Sequence, residues 1–217
     1  MTAFEAYSPY KDKIGAGLFH MTGLTGEYPS AGALFAAIDG KTPLNIASLA
    51  GHCSARASIL GYENRPLTPA ELARLLGILE ENLRQGACGV SLGLMYEPGL
   101  YAPKEELREI AKLCEKYDKP LTVHPRACSA VSMAYPELLG RPHLLRALDE
   151  LEEITKGLRV RLQYSHAIFV GKSSFRCKDE LIAILERMRA NGVDAMFDLY
   201  AEVCGVSVIT VIMPVWY

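Results

Sequence analysis

Five short apolar runs alternate with amphipathic helix patterns, and this alternation limits what the chain can fold into. The runs are Leu44–Ala50, Gly86–Leu94, Leu121–His124, Arg159–Ser165 and Val193–Leu199. Between them, helix patterns span Thr68 to about Gln85, Pro103–Lys119, Pro142–Lys156 and Lys178–Ala190. Strands joined through helices run parallel, with right-handed crossovers. Thr68-Pro69-Ala70-Glu71 is a capping box with proline at the first helical position. Leu72, Leu75, Leu76, Leu79 and Leu83 then line one face of the helix that it opens. Asn191-Gly192 is a helix stop. A shorter helix pattern, Ser30–Ile38, ends at Asp39-Gly40. Residues 1–29 read as loop with one short strand, and 127–141 as a loop or small insertion.

No linker interrupts the pattern, so residues 1–217 read as one α/β domain. Five strands make either an open parallel sheet or most of an eight-stranded barrel, which takes about 250 residues. No Gly-x-Gly-x-x-Gly or phosphate loop follows the first strand, which disfavours a nucleotide-binding doubly wound fold. Half of the residues are hydrophobic and 22% are charged, enough for a sizeable core. A net charge of -2, with basic and acidic residues interspersed, gives no pull toward nucleic acid or an anionic membrane. No apolar stretch reaches the roughly 18 residues of a membrane span. The nearest is Val206–Trp216, broken by Pro214. Six scattered cysteines without a Cys-x-x-Cys pair fit a reducing cytoplasm. Met1–Gly17 lacks the basic start and apolar run of a secretory signal.

Candidate chemistry gathers where strands end. Leu121-Thr-Val-His124-Pro-Arg126 is an apolar run that stops at a histidine, and Arg159–Ser165 runs into His166 in the same way. Ligands and catalytic groups of parallel α/β proteins collect at the carboxyl ends of strands. His124 and His166 are therefore either metal ligands or two unrelated hydrogen-bonded histidines. A zinc site needs three or four ligands, so two histidines alone are incomplete. His52 and Cys53 follow another run. They offer a third ligand position, or a nucleophile beside a base, although a buried cysteine is usually a small hydrophobe. Asp198 is a general base, a ligand or the cap of the turn that follows it. Tyr96 and Tyr101 flank a Gly/Pro loop as substrate wall or ordinary packing. His20 and His143 have no supporting context.

Taken in order, these stretches resemble the N-acyl-D-amino-acid deacylase (D-aminoacylase) family of the amidohydrolase superfamily. The resemblance covers roughly Asn45 to Trp216. It is carried by Asn45-Ile-Ala-Ser-Leu-Ala-Gly-His52 with Arg56, and by Gly86-Ala-Cys-Gly-Val-Ser-Leu-Gly-Leu-Met-Tyr96-Glu-Pro-Gly-Leu-Tyr-Ala102, its most specific element. His124-x-Arg126, Ser165-His166, Asp198-Leu-Tyr200 and Met213-Pro-Val-Trp216 complete it. The resemblance implies a metal-dependent (β/α) barrel of TIM type that hydrolyses the amide of an N-acyl-D-amino acid. It further implies zinc held by His124 and His166, substrate contacts from Tyr96 and Arg126, and Tyr200 as the catalytic donor to the developing oxyanion.

Several family features have no counterpart here. These are the paired His-x-His of the first barrel strand, the cysteine ligand after it and the aspartate of the last strand. Within the matched region the family's lysine is Ile168, its second tyrosine is Glu202, and its serine falls on Val206 beside Ser207. Residues 128–142 look inserted. The expectation is an incomplete barrel of about five strand–helix units, a central piece of such an enzyme, with zinc weakly held and little activity alone. Its unpaired sheet edges favour a homo-oligomer or flanking segments as partner. The substrate is a small molecule, with no nucleic acid or membrane involved. Two alternatives stand: a non-catalytic barrel piece that only binds, and an amidohydrolase of a cyclic amide.

Overall fold

The computed structural model describes residues 5, 8–10 and 28–205. His20, Ser207, the apolar run from Val206 and the Met213–Trp216 motif lie outside the described residues. In chain order the helices are α1 (Ala31–Ile38), α2 (His52–Leu60), α3 (Pro69–Arg84), α4 (Lys104–Lys116), α5 (His143–Thr155) and α6 (Lys178–Ala190). The strands are β1 (Ala50–Gly51), β2 (Val90–Gly93), β3 (Leu121–His124), β4 (Arg161–Tyr164) and β5 (Asp194–Phe197). Short 3-10 turns occupy Gly99–Tyr101 and Lys172–Cys177.

Local chemistry explains most boundaries. At the start of α3 the Thr68 hydroxyl accepts from the Glu71 amide at 3.3 Å, and the Glu71 carboxylate accepts from the Thr68 amide at 2.8 Å. The capping box of the sequence is thus formed, satisfying two otherwise orphaned donors. The first strand is shorter than Leu44–Ala50: only Ala50 and Gly51 pair, and Leu44 and Ile46 are exposed. Among the described residues β1 lies at the edge of the sheet, and the preceding segment meets β2's approach through Cys88 N–H to Ser48 O at 2.9 Å. The helix α2 starts directly at His52 and was not legible in the sequence. It is buried nearly all round, so His52-Cys-Ser-Ala-Arg-Ala-Ser-Ile-Leu60 carries no apolar stripe.

The five strands form one parallel sheet in the order β1-β2-β3-β4-β5. Sequential order without a reversal is the winding of a (β/α) barrel, whereas a doubly wound sheet reverses direction at a switch point. Successive helices pack side by side, α3 on α4, α4 on α5 and α5 on α6. One face of the sheet, with Val90, Leu92, Leu121, Val123, Leu162, Tyr164 and Ala195, is sealed against them. Leu79, Leu107, Ile110, Leu148 and Ile184 answer from the helices, each side chain contributing about 2 kcal/mol by burial.

The opposite face behaves differently. Ser91, Gly93, Thr122, His124, Gln163 and Met196 alternate with the core positions and remain partly or fully exposed. Parallel sheets normally bury both faces. A half-open polar second face is what the inside of a barrel presents over part of its circumference.

Candidate functional site

Each of four successive strands delivers one ring to the carboxyl edge of the sheet. Tyr96 follows β2, His124 ends β3, His166 follows β4 and Tyr200 follows β5. Register brings them together: Gly93 pairs with His124, Val123 with Tyr164, and Tyr164 with Phe197. The rings touch in series, Tyr96 to His124 at 4.7 Å, His124 to His166 at 4.4 Å and His166 to Tyr200 at 5.4 Å between centroids. The two histidines meet edge to face, with 76° between their planes.

The hydrogen bonds of His124 define its protonation. Nδ1 lies 3.0 Å from the Pro125 carbonyl oxygen, an acceptor only, so Nδ1 carries the proton. Nε2 then offers its lone pair and accepts from the Tyr96 hydroxyl at 3.0 Å. Burial pushes the His124 pKa down to about 4; the Pro125 carbonyl opposes this and His166 reinforces it. A neutral imidazole whose far nitrogen is tied to a carbonyl is the state a metal-ligating histidine adopts.

His166 sits at a backbone φ of 41°, a left-handed conformation unusual outside glycine. Asp198 holds that turn. Its carboxylate accepts from the His166 amide at 2.6 Å and from Gln163 Nε2 at 2.7 Å. The turn it holds is that of His166, 32 residues earlier, and not the turn that follows Asp198. The Nδ1 of His166 is buried without a hydrogen-bond partner. Tyr200 is about half exposed on the outer side of His166. Among the described residues no three His, Cys, Asp or Glu side chains gather closely enough to hold a metal, so the histidines form a two-membered set.

The segment 94–102, which carries Tyr96, is held by two buried guanidinium groups. Arg56 on α2 donates to the Pro98 carbonyl at 3.2 Å and to Glu106 at 3.1 Å. Arg126, just after β3, donates to the carbonyls of Leu100 and Ala102 and makes a two-pronged pair with Glu150 on α5 at 3.0 Å. The structure therefore does not bring Arg126 into the ring series; its donors are turned to the loop and to α5. Gly99 is required by close approach, because a Cβ there would lie 2.4 Å from the Gly93 carbonyl oxygen. These contacts give the Gly-Val-Ser-Leu-Gly-Leu-Met-Tyr-Glu-Pro-Gly run its physical meaning.

His52 lies apart from the rings, fully buried, with Nε2 2.7 Å from Glu106 Oε1. Burial works against its charge, but contacts with Cys53 and Glu106 outweigh it and raise its pKa to about 9. Glu106 escaped the sequence reading. It sits in the first turn of a charged helix, and only its spacing onto the inner face of α4, with Leu107 and Ile110, hints at burial. His143 is also buried. Its Nδ1 accepts from the Ser132 amide at 2.8 Å, fastening the 127–141 segment to α5.

No family model matches the chain. Curated relatives include a D-aminoacylase of Alcaligenes xylosoxydans xylosoxydans, 28% identical over 162 residues, covering 75% of this chain and 31% of the relative. An N-acyl-D-aspartate deacylase of the same organism is 27% identical over 147 residues, covering 68% and 27%. The chain thus spans about a third of the length of the curated relatives it matches. Among solved structures, the N-acyl-D-glutamate deacylase of Bordetella bronchiseptica, complexed with zinc and a phosphonate mimic of the tetrahedral intermediate, superposes with a TM-score of 0.72. It is 27% identical, and the match covers 82% of this chain and 36% of that one. A D-aminoacylase described as a novel subset of amidohydrolases gives a TM-score of 0.70 at 26% identity, covering 81% and 35%. On sequence and on superposition alike, the chain is homologous to N-acyl-D-amino-acid deacylases of the D-aminoacylase type and corresponds to one part of their length.

Proposed function

We propose that this chain supplies part of the active site of a divalent-metal hydrolase that cleaves the amide of a small N-acyl-D-amino acid. One observation carries the reading: His124 and His166 stand ring against ring at adjacent strand ends, and the proton of His124 is tied to the Pro125 carbonyl, so that Nε2 presents its lone pair, which the Tyr96 hydroxyl now engages. The orphaned Nδ1 of His166 fits the same role. His124 and His166 would hold a divalent metal, zinc by analogy with the solved relative, which would supply a Lewis acid for the scissile carbonyl and for water. Two ligands are fewer than zinc needs, so a complete site takes further donors beyond the described residues.

The chain's own residues have distinct tasks. Tyr96 forms a wall of the substrate site and hydrogen-bonds the Nε2 edge of His124 until a ligand takes its place. Tyr200, exposed beside His166, donates its hydroxyl to the oxygen that gains charge in the transition state, where a preorganised donor counts most. Arg126 serves the substrate through the loop it clamps. Ile168 and Glu202, where the resembling family carries lysine and tyrosine, make the acyl and amino-acid preference of this chain its own, and a screen of N-acyl-D-amino acids against cyclic amides measures it. Free cysteines throughout suit a reducing compartment, and among the described residues no helix is long and apolar enough to cross a membrane.

A second reading, a binding module without catalysis, is favoured by the two-membered ligand set among the described residues. Equilibrium dialysis against zinc separates the assignments. Weak or sub-stoichiometric binding that disappears in both His124→Ala and His166→Ala supports the metal site. Tight, stoichiometric zinc that survives His124→Ala removes it. Metal binding with no hydrolysis of any N-acyl-D-amino acid leaves the binding module.

A further inference from the structure

The carboxyl ends of β4 and β5 are tied together at one residue, Asp198. Its carboxylate reaches across to β4, accepting from the His166 amide at 2.6 Å and from Gln163 Nε2 at 2.7 Å. Its main chain does the same: the Asp198 carbonyl accepts from the Ala167 amide at 2.7 Å, and the Asp198 amide donates to the Tyr164 carbonyl at 3.3 Å. Four hydrogen bonds thus run between Asp198 and residues 163–167, and His166 lies inside that bracket. The Ile168 amide then turns back onto the His166 carbonyl at 2.6 Å.

The two histidines of the ring series are oriented by different means. His124 is fixed through its own nitrogens, by the Pro125 carbonyl and the Tyr96 hydroxyl. His166 has no such pair of ties, since its Nδ1 is buried without a hydrogen-bond partner. Its imidazole is directed by the backbone instead. At a φ of 41° the ring comes to lie between His124, 4.4 Å away, and Tyr200, 5.4 Å away. A residue other than glycine keeps that conformation only where surrounding contacts hold it. A carboxylate on the His166 amide is such a contact, strengthened by its charge. Tyr200 leaves the chain two residues after Asp198, so a single residue sets both rings relative to each other.

We propose that Asp198 is a positioning residue of the site. Through the His166 amide it aims the His166 imidazole toward His124, it places Tyr200 beside that ring, and Gln163 orients its carboxylate. Asp198 acts through these neighbours and not on the substrate. The chemical use of the aimed ring rests on the metal reading above; the aiming itself does not.

NMR of the full chain without metal tests the aiming. The His166 ring signals, assigned by their loss in His166→Gln, are displaced from free-histidine values by the two rings beside them. At about pH 7.5 an ordinary histidine is mostly neutral, so the displacement reports geometry rather than charge. Asp198→Ala is expected to bring these signals toward the free values. The ring signals of His143, whose nitrogens are engaged by Ser132 and Glu137, stay in place. Asp198→Asn keeps an oxygen for the His166 amide, and a rotated Gln163 amide meets its NH2 group, so most of the displacement returns. Zinc alone, in equilibrium dialysis, is expected to bind Asp198→Ala at least about tenfold more weakly than the unaltered chain, with Asp198→Asn recovering most of the loss. His166 signals that stay unmoved in folded Asp198→Ala, or unrestored in Asp198→Asn, overturn the proposal. If Asp198→Ala fails to fold, Gln163→Met decides, and the same signals must move in the same direction. Moved signals with undiminished zinc affinity remove His166 from the metal site and uphold the aiming. A chain that binds no zinc removes the metal reading, and the ring signals still decide the part of Asp198.

Discussion

His52 and His124 both follow a strand of the same sheet, and the fold gives them opposite chemistry. Behind His52 stands the Glu106 carboxylate, which helps to hold the ring charged, with its pKa raised to about 9. Behind His124 stands only the Pro125 carbonyl, and burial keeps the ring neutral, with its pKa lowered to about 4. The one is a buried cation locked into structure; the other is a base with an available lone pair. What separates them is the partner of each imidazole: for His124 the carbonyl of the next residue, for His52 a carboxylate from a distant helix that local sequence does not specify.

Breaking the buried side of this comparison has the largest expected effect. Glu106→Ala leaves Arg56 and His52 as uncompensated buried cations and should cost about 3–5 kcal/mol in urea unfolding. A loss below about 1 kcal/mol would mean that the charges are solvated after all. Arg126→Ala strands Glu150 and two loop carbonyls, with an expected loss of about 3 kcal/mol.

The open side is sharpened by pH. Because the folded protein holds His124 below its ordinary value of 6.5, the unfolded chain binds the proton more readily between 6.5 and about 4. Stability from this group is full above pH 6.5 and falls as pH drops toward 4, by about 2 kcal/mol once partial exposure is allowed for. Urea midpoints across that range should flatten in His124→Asn; an unchanged slope would assign the acid loss to other groups. The smallest effect belongs to Tyr96→Phe, which removes one hydroxyl from His124 and should cost about 1 kcal/mol. A loss of several kcal/mol would show that Tyr96 holds the loop as well as the ring.

Much of this arrangement is legible in the chain itself. The alternation of short apolar runs with amphipathic helix patterns yields the parallel sheet, and the strand-end positions of His124 and His166 follow from where the apolar runs stop. The capping box at Thr68 and Glu71 reads directly. By contrast, Leu44–Leu49 is as apolar as a core strand, yet it lies at the sheet edge, and edge position is a tertiary property. The resemblance makes Arg126 a substrate contact, but its guanidinium meets Glu150, 24 residues later on a helix face. Glu106 and Arg56 look like solvated charges because their burial depends on a partner 50 residues away. Long-range ion pairs of this kind leave no periodicity.

The Arg126 clamp also sets an order of events. Tyr96 and its loop are synthesised early, and Arg56 and Glu106 can meet once α4 has emerged. The second restraint needs Glu150, near the middle of α5. On a ribosome adding residues from the N-terminus, the wall of the site therefore stays half-fastened until about fifty more residues have followed Tyr96. The last rings, His166 and Tyr200, then close onto a surface that is already set.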